Sequence, residues 1–132
     1  MGNLGFALPE AIGLRLADPT RPVLAVLGDG SALYGIQALW SAAHYGIGVL
    51  FIVMANARYG VMDQLAAEHG KAPWPGFPEV RLARLADGFG CPTDSVTTLD
   101  ALVDVMDRVI PTLRTRREPL LLNVEILSDG EV

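Results

Sequence analysis

Leu4, Leu8, Ile12 and Leu16 recur every fourth residue and predict a helix over about 5–17, with Pro9 tolerated in its first turn. Asp18-Pro19-Thr20-Arg21-Pro22 interrupts it, and the unbroken apolar run Val23 to Leu27 predicts a strand entering the tight turn Gly28-Asp29-Gly30. Helical spacing resumes between Ala32 and Tyr45 through Ile36, Leu39, Trp40 and Ala43, and Gly46 stops it. Gly48 to Met54 predicts a second, fully buried strand.

The segment 68–79 holds Gly70, Pro73, Pro75, Gly76 and Pro78 and reads as a loop, before Leu82, Leu85, Ala86 and Phe89 mark another helix. Pro92 to Val96 predicts a short strand. Thr97 with Asp100 has the pattern of a capping box ahead of a helix over about 98–110, and Leu120 to Ile126 predicts the last strand. Uninterrupted apolar strands alternating with helices imply an α/β fold: a three-layer domain whose mostly parallel sheet is covered by helices on both faces. Residues 1–132 are read as one domain, the tail 128–132 as frayed.

Composition narrows the function classes. Hydrophobic residues make up 51% of the chain and charged residues 19%, which implies apolar surface that meets a partner. The longest apolar run, Ile47 to Ala55, is well short of the roughly 18–20 residues a membrane span needs, and nothing at Met1 reads as a signal peptide. A lone Cys91, read as a small residue in a turn before a strand, makes no internal disulfide; a reducing, cytoplasmic setting is expected. The net charge of −5, without a basic stripe, argues against nucleic acid. A phosphorylated ligand would then be held by main-chain N–H groups or by a cation.

Two predicted strand ends carry chemistry. In Gly28-Asp29-Gly30-Ser31 the glycines permit positive φ and close approach of a phosphate, and Asp29 offers a hard oxygen for a cation. After the second strand, Ala55-Asn56-Ala57-Arg58-Tyr59-Gly60 offers the Asn56 amide oxygen and a main-chain carbonyl beyond it, a donor set suited to octahedral magnesium bound to a diphosphate. The third glycine of a dinucleotide fingerprint is missing, and no P-loop occurs.

With 25 residues between Gly30 and Asn56, enough for one helix and one strand, the pattern resembles the signature of the thiamine diphosphate-dependent enzymes. The resemblance runs from Gly2 to Ile126. In Leu4-Gly5-Phe6-Ala7-Leu8-Pro9, Ala38-Leu39-Trp40 and Tyr59-Gly60 it is most like the benzoylformate decarboxylase branch. It implies thiamine diphosphate and Mg2+ as cofactors, with Asp29, Asn56 and the Arg58 carbonyl as metal ligands and Gly28, Gly30, Ser31, Tyr59 and Gly60 around the diphosphate. Leu4 matches the residue wedged beneath the cofactor, and the Gly2 carbonyl the acceptor for its aminopyrimidine. Ala55 departs from the family, which has an asparagine there.

The resemblance further implies a 2-oxo acid decarboxylase; an acetolactate synthase-like carboligase and a split-subunit or noncatalytic binding module are the alternatives. The activating glutamate of the family lies on a separate pyrimidine-binding domain. None of Glu10, Glu68, Glu79, Glu118, Glu125 and Glu131 has its context, so a pyrimidine-binding domain or subunit is the implied partner, within a homo-oligomer, and the chain alone is expected to be inactive. Val61, Met62 and Leu65 share one face if 61–65 is helical, and by resemblance line the pocket for an aromatic or branched 2-oxo acid. Plainer readings are assigned elsewhere: His44 to a surface opposite Trp40, His69 to a non-catalytic place, Trp74 to a loop anchor, Trp40 to packing, and Arg114, Arg116 and Arg117 to a solvated turn.

Overall fold

The computed structural model describes residues 4–127. Gly2 lies outside them, as does the tail. Four parallel strands, β1 (Leu24–Gly28), β2 (Leu50–Ala55), β3 (Thr93–Val96) and β4 (Leu120–Glu125), form one sheet in the order β1-β2-β4-β3. The helices are α1 (Ala7–Ala17), α2 (Asp29–Leu33), α3 (Ala38–His44), α4 (Gly60–Glu68), α5 (Leu82–Gly88) and α6 (Leu99–Val109), the last continued by a 3-10 turn at Ile110–Thr112.

Alternation along the strands sorts the core into two layers. Phe51, Val53, Leu27 and Leu121 point to the side that holds Leu8, Ala11 and Ile12 of α1, Leu39 and Ala42 of α3, and Leu82 and Ala86 of α5. Leu50, Ile52, Leu120, Leu122 and Val124 point the other way, against Val105 and Val109 of α6 and Leu113 beyond it. Fully burying each such side chain contributes roughly 1.5–3 kcal/mol, which fixes the register because a one-residue slip would reverse every strand. Helices thus lie on both faces, as the apolar strands predicted. The exception is β1, where Leu24 and Val26, on the α6 side, remain 41% and 60% exposed.

The structure corrects four readings of the pattern. Leu8, Ala11, Ile12 and Arg15 face inward on α1, whereas Leu4 and Leu16 are exposed, because a strict four-residue spacing drifts by about 40° per step around a helix. The single helix foreseen between Ala32 and Tyr45 is two, joined by a turn at residues 34–37. At Gly35 an added Cβ would sit 2.8 Å from the Gly5 carbonyl oxygen, so the chain bends where these backbones meet. The cap of α6 is Thr98, not Thr97: its side chain accepts from the Ala101 N–H at 3.2 Å. His44 is not opposite Trp40 but stacked on it at 4.6 Å, with Trp40 itself 48% exposed.

Cys91 is fully buried, and burial pushes its thiol from 9.0 up to about 12. The protonated form is therefore favoured by folding. Its contribution to stability is complete below pH 9 and lost as the pH rises toward about 12. The native chain is expected to resist a thiol reagent at pH 8 and to be labelled fully in denaturant; rapid labelling of the folded chain would contradict this packing.

Candidate functional site

β1 and β2 are adjacent, with Gly28 opposite Met54, so the turns after them are neighbours at the carboxyl end of the sheet, where open α/β sheets gather ligands. Asp29 ties them together. Its side chain is 3% exposed; Oδ1 accepts from the Gly30 N–H at 2.8 Å, and Oδ2 accepts from the N–H groups of Asn56 at 3.1 Å and Ala57 at 2.6 Å. The Asn56 Oδ1 accepts from the Arg58 N–H at 3.1 Å, folding residues 56–58 into a tight turn in which Ala57 takes φ 56°. An amide oxygen has a second lone pair, so this bond leaves Asn56 able to ligate a cation.

The glycines work differently from the expectation. Gly28 has φ −77°, which any residue adopts. Gly30 is required for space, because a Cβ there would lie 2.5 Å from the Tyr59 ring. That ring packs edge-on to Phe77 at 5.0 Å, and burial, followed by Tyr34 and Asp29, raises the Tyr59 phenol above its ordinary range. Ser31 is half-buried, and its Oγ accepts from the Gly5 N–H at 3.3 Å, which brings the Leu4-Gly5 turn to the same end; Leu4 itself is 51% exposed.

Asp29 and Asn56 open onto a recess of about 520 Å3, shared with Ser95 of β3 and Asn123 and Glu125 of β4. Those three polar residues were missed because they sit inside runs read only as strand. Among the described residues no group of three His, Cys, Asp or Glu side chains gathers, so an ion here would rest on the Asp29 carboxylate with amide and main-chain oxygens. These are hard donors, and the set fits magnesium.

Val61, Met62 and Leu65 all lie on α4, which starts at Gly60. Met62 and Leu65 line a separate cavity of about 480 Å3 with His69 and Trp74, and Val61, 73% exposed, stays outside it. Asp63, which the sequence did not single out, holds the two regions together: Oδ2 pairs with Arg58 Nε at 3.0 Å, and Oδ1 accepts from the Trp74 N–H at 2.8 Å. His69 Nδ1 lies 2.8 Å from the Leu65 carbonyl at the end of α4.

Comparison with known proteins gives this geometry its context. Residues 1–124 match the family described as "Thiamine pyrophosphate enzyme, C-terminal TPP binding domain". Benzoylformate decarboxylase of Pseudomonas aeruginosa is 38% identical over 93% of this chain and 23% of its own length. The large subunit of acetolactate synthase isozyme 1 of Escherichia coli is 33% identical over 100% of this chain and 23% of its own. Among solved structures, the thiamine diphosphate-dependent 4-hydroxybenzoylformate decarboxylase of Rhodococcus jostii superposes with a TM-score of 0.85 at 35% identity, covering 97% of this chain and 24% of that one. The chain thus spans about a quarter of the length of these relatives. No helix among the described residues is long and apolar enough to cross a membrane. The chain belongs to the thiamine pyrophosphate enzymes, as their C-terminal cofactor-binding domain.

Proposed function

We propose that this chain supplies the diphosphate-and-magnesium side of the active site of a 2-oxo acid decarboxylase acting on an aromatic or branched substrate. The observation that carries it is the buried Asp29 carboxylate, held by the turns after both β1 and β2. Asp29, Asn56 and the Arg58 carbonyl would hold Mg2+; Gly30, Ser31, Tyr59 and Gly60 would bracket the diphosphate. When bound, thiamine diphosphate supplies a carbon nucleophile for the ketone and an electron sink for departing carbon dioxide. The chain's own residues position that chemistry: Asp29 braces both turns, and the Arg58–Asp63 pair fixes the start of α4.

A pyrimidine-binding domain or subunit carrying the activating glutamate completes the site in this reading, within a homo-oligomer in the cytoplasm. The exposed apolar face of β1 and the lone buried thiol support those two assignments. The relative named as an acetolactate synthase keeps a carboligase as the second reading.

Substrate choice separates the two. Met62, Leu65 and Trp74 give their cavity an apolar lining. In an assembly with the pyrimidine-binding partner, Met62→Ala is expected to change the ratio of kcat/KM for phenylglyoxylate against pyruvate about tenfold, the scale of about 1.4 kcal/mol of differential binding. An unchanged ranking across aromatic, branched and short 2-oxo acids would remove Met62 from the substrate pocket. Carbon dioxide release without carboligation supports the decarboxylase; condensation of two pyruvates supports the carboligase.

A further inference from the structure

At the opposite end of the sheet from Asp29, a third cavity of about 540 Å3 lies between the end of α1, the turn before β2 and the loop before β4. Four arginines line it, Arg15, Arg114, Arg116 and Arg117, and no acidic side chain does, in a chain whose net charge is −5. That is four of the ten basic residues in one place.

Arg15 is 5% exposed, and its guanidinium donates only to main-chain carbonyls: Arg21 through Nη1, and Leu113, Arg114 and Arg116 through Nη2 at 3.1, 3.0 and 3.1 Å. Among the described residues the ion pairs are Arg58–Asp63 and Arg108–Asp94, so this buried cation has no counter-charge. Its charge is met by carbonyl dipoles and by no carboxylate, so the net positive charge of the group remains, and its neighbours here are more guanidinium groups. Asp18, whose Oδ1 accepts from the N–H and hydroxyl of Thr20, forms no ion pair with Arg15 and does not line the cavity.

The arginine-bearing loop is a solvated turn, as read from the sequence, but its backbone is anchored. Arg15 gathers three of its carbonyls. Gly48 lets the Arg116 carbonyl come so close that a Cβ would be 1.9 Å from it, and Arg116 Nε donates to the Glu118 carbonyl at 2.6 Å. Arg114 and Arg117 are exposed and donate no side-chain hydrogen bond among the described residues, so their forks are free for a ligand.

We infer that this cavity is a second anion site, taking a phosphorylated small molecule. Several guanidinium forks without a carboxylate suit the oxygens of a multiply charged phosphate, and Tyr45 and Pro19 provide an apolar wall for the remainder. The site is independent of the cofactor assignment at the other end of the sheet.

Calorimetry on the full chain in EDTA, with ATP as probe and adenosine as the uncharged control, tests it. ATP is expected to bind at low salt with a Kd below about 1 mM, weakening steeply as salt rises, while adenosine does not bind. The exposed double substitution Arg114→Ala with Arg117→Ala is expected to weaken ATP at least tenfold with melting unchanged, and Asp29→Asn to leave it within twofold. Absence of ATP binding up to about 10 mM, adenosine binding as tightly as ATP, an unaffected double variant, or loss on Asp29→Asn would each overturn the proposal.

Discussion

Asp29→Ala is expected to lower magnesium-dependent affinity for thiamine diphosphate at least about 100-fold, about 2.7 kcal/mol, because it removes the single carboxylate proposed for the ion. The same change strands buried N–H donors of Gly30, Asn56 and Ala57, each costing roughly 1–3 kcal/mol, so melting should fall as well. Asp29→Asn separates the two effects: it keeps the side chain's size and an acceptor oxygen, and should melt nearer the parent while still binding magnesium diphosphate poorly. Calorimetry well below both melting transitions, at high cofactor concentration and with EDTA as the metal-free arm, provides the reading. The high concentration compensates for contacts that a pyrimidine-binding partner would add. Equal affinities for parent and Asp29→Asn, or an affinity indifferent to EDTA, would refute the metal assignment.

What the sequence made legible is what local pattern controls. The strands announced themselves because a parallel sheet buried on both faces needs unbroken apolar runs, and Leu50 to Val53 and Leu120 to Leu122 are such runs. Asp29 and Asn56 could be paired in advance because one helical stretch and one strand between them leave little choice but adjacent parallel strand ends. The features that escaped are set by contacts distant in the chain. The break between α2 and α3 depends on Gly35 meeting Gly5, and the inward turn of Arg15 depends on carbonyls about a hundred positions away. Asp63 was not singled out, since its partners Arg58 and Trp74 lie in loops on either side of α4. The same limit explains the bare face of β1: Val23 to Leu27 reads as a buried strand, yet α6 covers only part of its side of the sheet.

The largest effect on stability is expected at Gly48. A methyl group there would stand 1.9 Å from the Arg116 carbonyl oxygen and 2.4 Å from its carbon, far inside van der Waals contact, and both partners are backbone. Neither side has room to yield. Gly48 runs directly into Val49 and Leu50, which are fully buried, and the Val49 carbonyl accepts from the Leu120 N–H at 2.9 Å at the start of the β2–β4 pairing. Arg116 is fixed in turn by Arg15 through its carbonyl and by Thr112, whose carbonyl accepts the Arg116 N–H at 2.8 Å. Overpacking a core costs about 1–3 kcal/mol where side chains can shift, so a clash between two anchored backbones should reach about 3 kcal/mol or more. Gly13 is the control: it lies on the exposed side of α1 with nothing within 4 Å of an added Cβ, and Gly13→Ala should stabilise by about 0.5–1 kcal/mol through helix propensity. Urea titrations of the two variants should therefore move in opposite directions with unchanged slopes. Because the clash falls on the loop that presents Arg114, Arg116 and Arg117, Gly48→Ala should also weaken ATP in EDTA, while magnesium-dependent cofactor binding at the Asp29 end persists wherever the variant remains folded. A Gly48→Ala unfolding free energy within about 0.5 kcal/mol of the parent would mean that the loop is not clamped against β2, and would take away the rigid frame on which the arginine cavity depends.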